Sequence, residues 1–467
     1  MNEERSCSME KISIIHTNDL HSHIENWPKI RRFIQQKQQL DNKVFTVDLG
    51  DFCDRWHPLT EALDGQGNIE LMNQVHYDAV TIGNNEGIGN SREVLNHLYD
   101  QANFDVVLAN LYDRQTLQLP TWAKQWKILT TEKNTKIGLI GITAPFPLTY
   151  SPNGWDIRQW TDILPGLIQH LRGQVDVLVL MSHLGIEDDH LIAREFPELD
   201  VILGSHTHHH FPNGKTVNGV LLAAASKFGY YVGEVTLLLQ DHQVIQKSAI
   251  TFATEDMLSE TADNEEIFEY TETGHRLLQA KKVAWLPHDL TLDRFDESLV
   301  LETLTAVRKR GKTEVSLLNT GLFLGELSQG LVNQDQLHQI LPHPMRLIRV
   351  TLLGRDVERL VLEIEKNRLF LRNFPILGMG FRGKIFGEVV YDGLHYDEIN
   401  HRIFWQGQPI ELEKEYQLTT VDHLMFLPFF PTIEIAGRHE FLFPEFIRTV
   451  LAEYLNEKYP LPDFEEN

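Results

Sequence analysis

The chain has 467 residues, of which 42% are hydrophobic and 23% charged, the balance of an ordinary globular protein with room for two or three domains. Its 66 acidic against 42 basic residues give a net charge of −24, which argues against a nucleic-acid backbone or an anionic membrane surface as the main partner. Two cysteines, Cys7 and Cys53, stand in no metal or redox spacing. The polar, acidic N-terminus lacks a secretory pattern and no apolar run reaches about 18 residues, so a cytoplasmic location without a membrane partner is expected.

Residues 12–17 (Ile-Ser-Ile-Ile-His-Thr) read as a strand that runs into Asn18-Asp19-Leu20-His21. Side chains two positions apart on extended backbone project to one side, so Asp19 and His21 can converge on one cation. A helical pattern over 24–42 leads to a strand at 44–47, which ends in Asp48-Leu-Gly50-Asp51-Phe-Cys-Asp54; the glycine permits a tight turn that exposes Asp51. A further helix-like segment, 68–76, precedes the strand 79–82 and the run Gly83-Asn84-Asn85-Glu86-Gly87. After apolar strands at 105–109 and 136–142, two more, 175–183 and 199–204, end at His183 and at His206-Thr-His208-His209-His210. Strands are also expected within 219–239.

Short, nearly continuous apolar runs alternating with helical segments predict an α/β domain with a largely parallel sheet covered on both faces. Ligands in such sheets gather beyond the carboxyl ends of the strands, so Asp19, His21, Asp51, Asn84, His183, His206 and His208 should share one edge. Any one of them alone is an ordinary polar strand end; five strand ends of the same kind argue for a site. Carboxylate, imidazole and amide suit two divalent ions such as Mn²⁺, Zn²⁺ or Co²⁺, and paired ions clamp phosphoryl groups and activate water.

From Thr254 the sequence turns acidic and helix-compatible to about Lys282, which suggests a linker helix over 255–285 between a metal domain, 1–254, and a smaller mixed α+β domain, 286–467. That second domain should hold a helix over 297–309 and strands over 315–318 and 347–353. Two motif matches fail on context. Gly378-Met-Gly380-Phe-Arg-Gly383 precedes strand-like residues where a dinucleotide fold needs a helix. Arg310-Gly311-Lys312-Thr313 ends like a phosphate-binding loop, but Ala306 stands where its first glycine should be.

The quoted motifs resemble those of the calcineurin-like metallophosphoesterases, and within them the two-domain 5′-nucleotidases. Asp19-Leu-His21, Gly50-Asp51-Phe-Cys-Asp54, Gly83-Asn84-Asn85-Glu86, His183 and Ser205-His206-Thr-His208 match the family's five motifs in order. The resemblance implies that Asp19, His21 and His208 hold one metal, that Asn84, His183 and His206 hold the other, and that Asp51 bridges. It implies an α/β sandwich, a C-terminal substrate-binding domain and a nucleotide or related phosphoester as substrate. In the second half, Asn319-Thr-Gly321 and Ile340-Leu-Pro-His-Pro resemble substrate-domain turns, and Phe374 with Phe429 or Phe430, or alternatively Phe381, are the expected base-clamping rings. The chain departs from the pattern at Asn85 and Ile88, where the family carries a proton-donating histidine and its aspartate partner. The competing expectation is therefore a metal- and nucleotide-binding protein with little hydrolysis.

Overall fold

The computed structural model describes residues 9–40, 44–292, 298–376 and 383–462; Cys7 and Phe381, and most of the Gly378–Gly383 motif, lie outside them. The chain divides into two compact units, 1–274 and 275–467, with the division inside the segment expected to link two domains. The helix of that segment is Asp263–Gln279.

The first unit contains two large sheets and a two-stranded antiparallel one, Leu111–Asp113 with Trp155–Ile157. One large sheet runs in the order Gln243–Ala253, Tyr231–Gln240, Met9–Thr17, Val44–Asp48, Ala79–Val80, Asp105–Val107, Ala123–Lys124. The four pairings from Met9–Thr17 to Ala123–Lys124 are parallel, and the two that add Tyr231–Gln240 and Gln243–Ala253 are antiparallel. The other runs Lys215–Val217, Val220–Ala223, Val201–Gly204, Val177–His183, Lys136–Thr143, Trp126–Thr130, with parallel pairs at its centre and antiparallel ones at its edges.

Side-chain alternation on the strands explains the layers. Ile12 and Ile14 share a core with Val177, Val179 and Met181, so the sheets pack face to face. Ile15, on the opposite side of its strand, packs with Trp27, Ile30 and Ile34 of the helix Trp27–Leu40. Leu178 and Leu180 pack with Leu164, Ile168 and Leu171 of the helix Trp160–Arg172. The α/β sandwich expected from the resemblance is thus present. The cover on both faces is also present, but a second sheet supplies one side of it, which uniformly apolar strands cannot distinguish from a helix.

Trp27 anchors the first helix: its ring is fully buried, lies 5.2 Å from that of Phe52, and its Nε1 donates to Gln74 Oε1 at 2.9 Å. Trp27→Ala is expected to cost about 3–5 kcal/mol, to be read as a lowered denaturation midpoint in urea.

In the second unit a mixed five-stranded sheet runs Val389–Asp392, Val315–Asn319, Glu415–Val421, Arg346–Leu353, Arg438–Phe446. The helix Leu299–Gly311 starts at Ser298, whose hydroxyl accepts from the Leu301 N–H, and ends at Lys312 in a left-handed conformation. The phosphate-loop look-alike is therefore a helix C-terminus, the wrong end for an anion. After the second glycine motif, only Val389–Asp392 of the strand-like stretch joins the sheet.

Candidate metal centre

The strand ends meet as expected, and the loops that leave them continue one another's pairing. The N–H groups of Asp19, His21 and Ser22 donate to the carbonyls of Gly50, Asp51 and Phe52 at 3.0, 2.8 and 2.9 Å. Two glycines permit this closeness. A Cβ on Gly50, which sits at φ 90°, would lie 2.2 Å from Gly83 N, and one on Gly83 would lie 2.0 Å from Asp51 Oδ1.

Asp19, His21 and His208 place ligand atoms within 4.8 Å of one another, and so do Asp51, His183 and His206. In the first group His21 Nε2 is 3.1 Å from His208 Nε2 and 3.8 Å from Asp19 Oδ1, which is 3.6 Å from His208 Nε2. Asp51 Oδ2 links the groups, standing 3.7 Å from His21 Nε2 and 3.4 Å from His183 Nε2. Five of these six residues, Asp19, His21, Asp51, His206 and His208, have left-handed backbones, with φ from 49° to 71°. That conformation costs an L-residue about 1–2 kcal/mol, and strain of this kind clusters where function requires it.

The donor set fits divalent cations. His183 Nδ1 is 2.7 Å from the Leu49 carbonyl, which fixes the tautomer and aims Nε2 inward, where it is buried without a hydrogen bond; metal-binding histidines are oriented in this way. Asn84 Oδ1 is likewise buried and unpartnered. Burial first, and then the neighbouring His183 and His21 respectively, depress the His206 and His208 imidazoles to about 4 and about 3, so both stay neutral with a lone pair to offer. For His183, burial also disfavours charge, but the adjacent Asp51 carboxylate prevails and raises it to about 10. Without metal, His183 therefore holds a proton at neutral pH that a metal must displace. Metal affinity is expected to rise about tenfold per pH unit from pH 7 to 9 for each proton displaced, measurable by competition with a chromophoric chelator.

Several supporting residues were not assigned from the sequence. Glu86 is buried and accepts the backbone N–H groups of Asp51, Cys53 and Gly83 at 2.9, 2.8 and 2.8 Å, which holds the Asp51 turn against the Asn84 turn. Asp54 Oδ2 lies 3.4 Å from His21 Nδ1. Asn18 Nδ2 donates to Asp19 Oδ2 at 2.8 Å.

Asn85 lies within this frame. Its backbone N–H donates to Asp51 Oδ1 at 2.7 Å, its Oδ1 accepts from Asn84 Nδ2 at 3.1 Å, and its Nδ2 is 3.1 Å from the Cys53 carbonyl and 3.0 Å from His21 Nδ1. Both ends of the amide are engaged, with Asn84 on one side and the Cys53 carbonyl and His21 on the other.

The expected base clamp is corrected in part. Phe430 is 1% exposed, within the core of the second unit, and presents no face to a ligand. Phe374 and Phe429 are half-buried and meet edge to face, their centroids 4.9 Å apart, with the exposed Phe370 at 5.1 and 5.7 Å. Asn319 Nδ2 donates to the Phe386 carbonyl at 2.8 Å, and a Cβ on Gly321 would come within 2.0 Å of the Ile385 carbonyl oxygen, so both residues shape a tight turn.

Residues 12–210 match the calcineurin-like phosphoesterase family, and residues 288–426 match the 5′-nucleotidase C-terminal domain. An uncharacterized metallophosphoesterase, YunD, from Bacillus subtilis is 37% identical over 458 residues, covering 95% of this chain and 98% of that protein. Among solved structures, a putative 5′-nucleotidase from Staphylococcus aureus in complex with alpha-ketoglutarate superimposes with a TM-score of 0.67 at 15% identity, over 97% of this chain and 98% of that one. The NAD nucleotidase NadN from Haemophilus influenzae gives 0.63 at 15% identity, over 97% and 96%. These two likenesses concern the fold; the near-full-length match in sequence, joined to two ligand groups sharing a carboxylate, carries the conclusion that the chain belongs to the calcineurin-like metallophosphoesterases, a family of hydrolases, in its two-domain form with a 5′-nucleotidase-type second domain.

Proposed function

We propose that the chain hydrolyses nucleotides or related phosphoesters and phosphoanhydrides in the cytoplasm, with two divalent ions, Mn²⁺, Zn²⁺ or Co²⁺, as cofactors. The observation that carries this reading is Asp51 Oδ2 between His21 Nε2 and His183 Nε2, at 3.7 and 3.4 Å, with ligands grouped on either side. Bound there, such ions polarise phosphoryl oxygens and lower the pKa of water. Asp19, His21 and His208 would hold one ion, Asn84, His183 and His206 the other, with Asp51 shared. Glu86 and Asn85 keep the two ligand turns in register. Residues 286–467, joined through 255–285, would grip the substrate, with Asn319 and Gly321 shaping its turn and Phe374 and Phe429 reaching a base once their rings part.

A second reading, a metal- and nucleotide-binding protein with little hydrolysis, is favoured by one observation: position 85 carries an amide that is engaged on both sides and cannot release a proton at neutral pH. Metal analysis of the purified protein, combined with a screen of nucleoside mono-, di- and triphosphates, cyclic nucleotides and nucleotide sugars, separates the two. Two equivalents of metal with turnover are expected, chelation should abolish turnover, and Mn²⁺ or Co²⁺ should restore it. Tight metal and nucleotide binding without turnover of any compound would establish the second reading.

A further inference from the structure

Beside the ligand loops runs a segment to which no role has yet been assigned, residues 226–229, Ser-Lys-Phe-Gly. Ser226 and Phe228 have left-handed backbones, with φ 66° and 59°. For a bulky aromatic residue this is an outlier, held only where the surroundings over-determine it.

They do so here. Asn18 Nδ2 donates to the Ser226 carbonyl at 2.6 Å, and the Ser226 N–H donates to the His209 carbonyl at 3.0 Å. The Phe228 N–H donates to the Asp19 carbonyl at 2.7 Å, and Asn26 Nδ2 to the Phe228 carbonyl at 2.7 Å. The segment is therefore stitched to the loop that bears Asp19 and to the loop that bears His206 and His208. As a result the Phe228 ring stands 5.8 Å from that of His21 and 6.3 Å from that of His208. Lys227 Nζ lies 4.5 Å from the centroid of the same ring. The lysine is half-buried, and among the described residues it makes no ion pair with a carboxylate.

Several cations of this unit are paired with acids, Arg31 with Glu266, Arg32 with Asp263, Lys37 with Glu234, and Arg55 with Glu61 and Asp64. An ammonium left without an acid in a chain of net charge −24, steadied over an aromatic face and held near a metal-ligand group by strained backbone, has the properties of an anion receptor. We propose that Lys227 binds a non-bridging phosphoryl oxygen of the substrate beside the ligand group Asp19, His21 and His208, with Phe228 as its platform. This rests on the phosphoesterase reading and refines it. A compact point charge on a flexible stem attracts charge without reading shape, so dianionic phosphate ends should gain more from it than monoanionic diesters.

The test uses the full-length Mn²⁺-loaded protein and the variants Lys227→Gln and Lys227→Arg. Inorganic phosphate binding is followed by calorimetry, and KM and kcat are measured for p-nitrophenyl phosphate and bis(p-nitrophenyl) phosphate. With one charge-assisted hydrogen bond lost, Lys227→Gln should weaken phosphate binding about tenfold or more. It should raise KM for the dianionic monoester by a similar factor, change KM for the diester less than about threefold, and leave metal content intact. Lys227→Arg should recover most of the loss. Unchanged phosphate affinity in Lys227→Gln, equal KM effects on both substrates, or a wild-type protein that binds no phosphate with its metals in place would overturn the assignment. If neither ester nor any compound of the nucleotide screen is turned over but phosphate binding still depends on Lys227, hydrolysis is refuted and the anion site stands.

Discussion

Asp51→Ala is expected to abolish turnover and to lower the content of both metals, while mutation of a ligand confined to one group, such as His208→Ala, should deplete one metal more than the other. The asymmetry follows from the geometry. Asp51 Oδ2 lies 3.7 and 3.4 Å from an imidazole nitrogen of each group, and its Oδ1 accepts the Asn85 N–H at 2.7 Å, so its removal should strip both metals of a charged donor and free the Asn84-Asn85 turn. Loss of an outer-shell partner alone weakens metal binding about 10–100-fold; loss of a shared charged ligand should exceed that at both positions. Alanine also tolerates φ 54° poorly, so Asp51→Asn is the needed control, since it tolerates the backbone and keeps an acceptor while losing the charge. Metal content by mass spectrometry, read beside a thermal melt, is the measurement. Two full equivalents of metal in folded Asp51→Ala would remove Asp51 from the bridge.

The candidate ligand set was legible because each member follows a short apolar run, and glycines at 50 and 83 stand in two of those turns, where a Cβ would lie 2.2 Å from Gly83 N and 2.0 Å from Asp51 Oδ1 respectively. Other features required the structure. Val177, Val179 and Met181 face a sheet and Leu178 and Leu180 face a helix, yet all five are apolar, so one strand's sequence hides two kinds of neighbour. Phe374, Phe429 and Phe430 are chemically identical, and only packing separates the buried ring from the two half-buried ones. Ser226 and Phe228 adopt φ values that sequence rules reserve for glycine or asparagine; their conformation is imposed by partners such as Asn18 and Asn26, some 200 positions away. Glu86 was visible as part of a motif, but its acceptance of three backbone N–H groups depends on the close approach of two turns.

Asn85 sets the second large expectation, a substrate preference that runs towards good leaving groups. A 5′-alkoxide must be protonated as it departs, and a positioned side-chain acid is worth about 10²–10⁴ in rate. Asn85 cannot supply that proton, and its amide is already committed to Asn84, the Cys53 carbonyl and His21. Phosphoanhydrides and aryl phosphodiesters leave as stabilised anions and need no such help. The wild-type protein should therefore show weak 5′-mononucleotidase activity and a kcat/KM for anhydrides or aryl diesters higher by at least about tenfold. Asn85→His combined with Ile88→Asp should shift that ratio towards monoesters by a comparable factor, provided metal content is unchanged, a necessary check because the substitution removes the hydrogen bonds that orient Asn84. Nucleoside monophosphates cleaved far faster than any anhydride by the wild-type protein would defeat this account and assign the proton to another group. The candidates are His23, whose Nδ1 is 2.6 Å from Glu25 Oε1 and whose ring lies 4.0 Å from that of Phe228, and His209, whose Nδ1 is 3.0 Å from Thr207 Oγ1. Of the two, His23 is the stronger, because Phe228 also packs against His21 of the candidate metal group, 5.8 Å between ring centroids, which ties the His23 ring to that group.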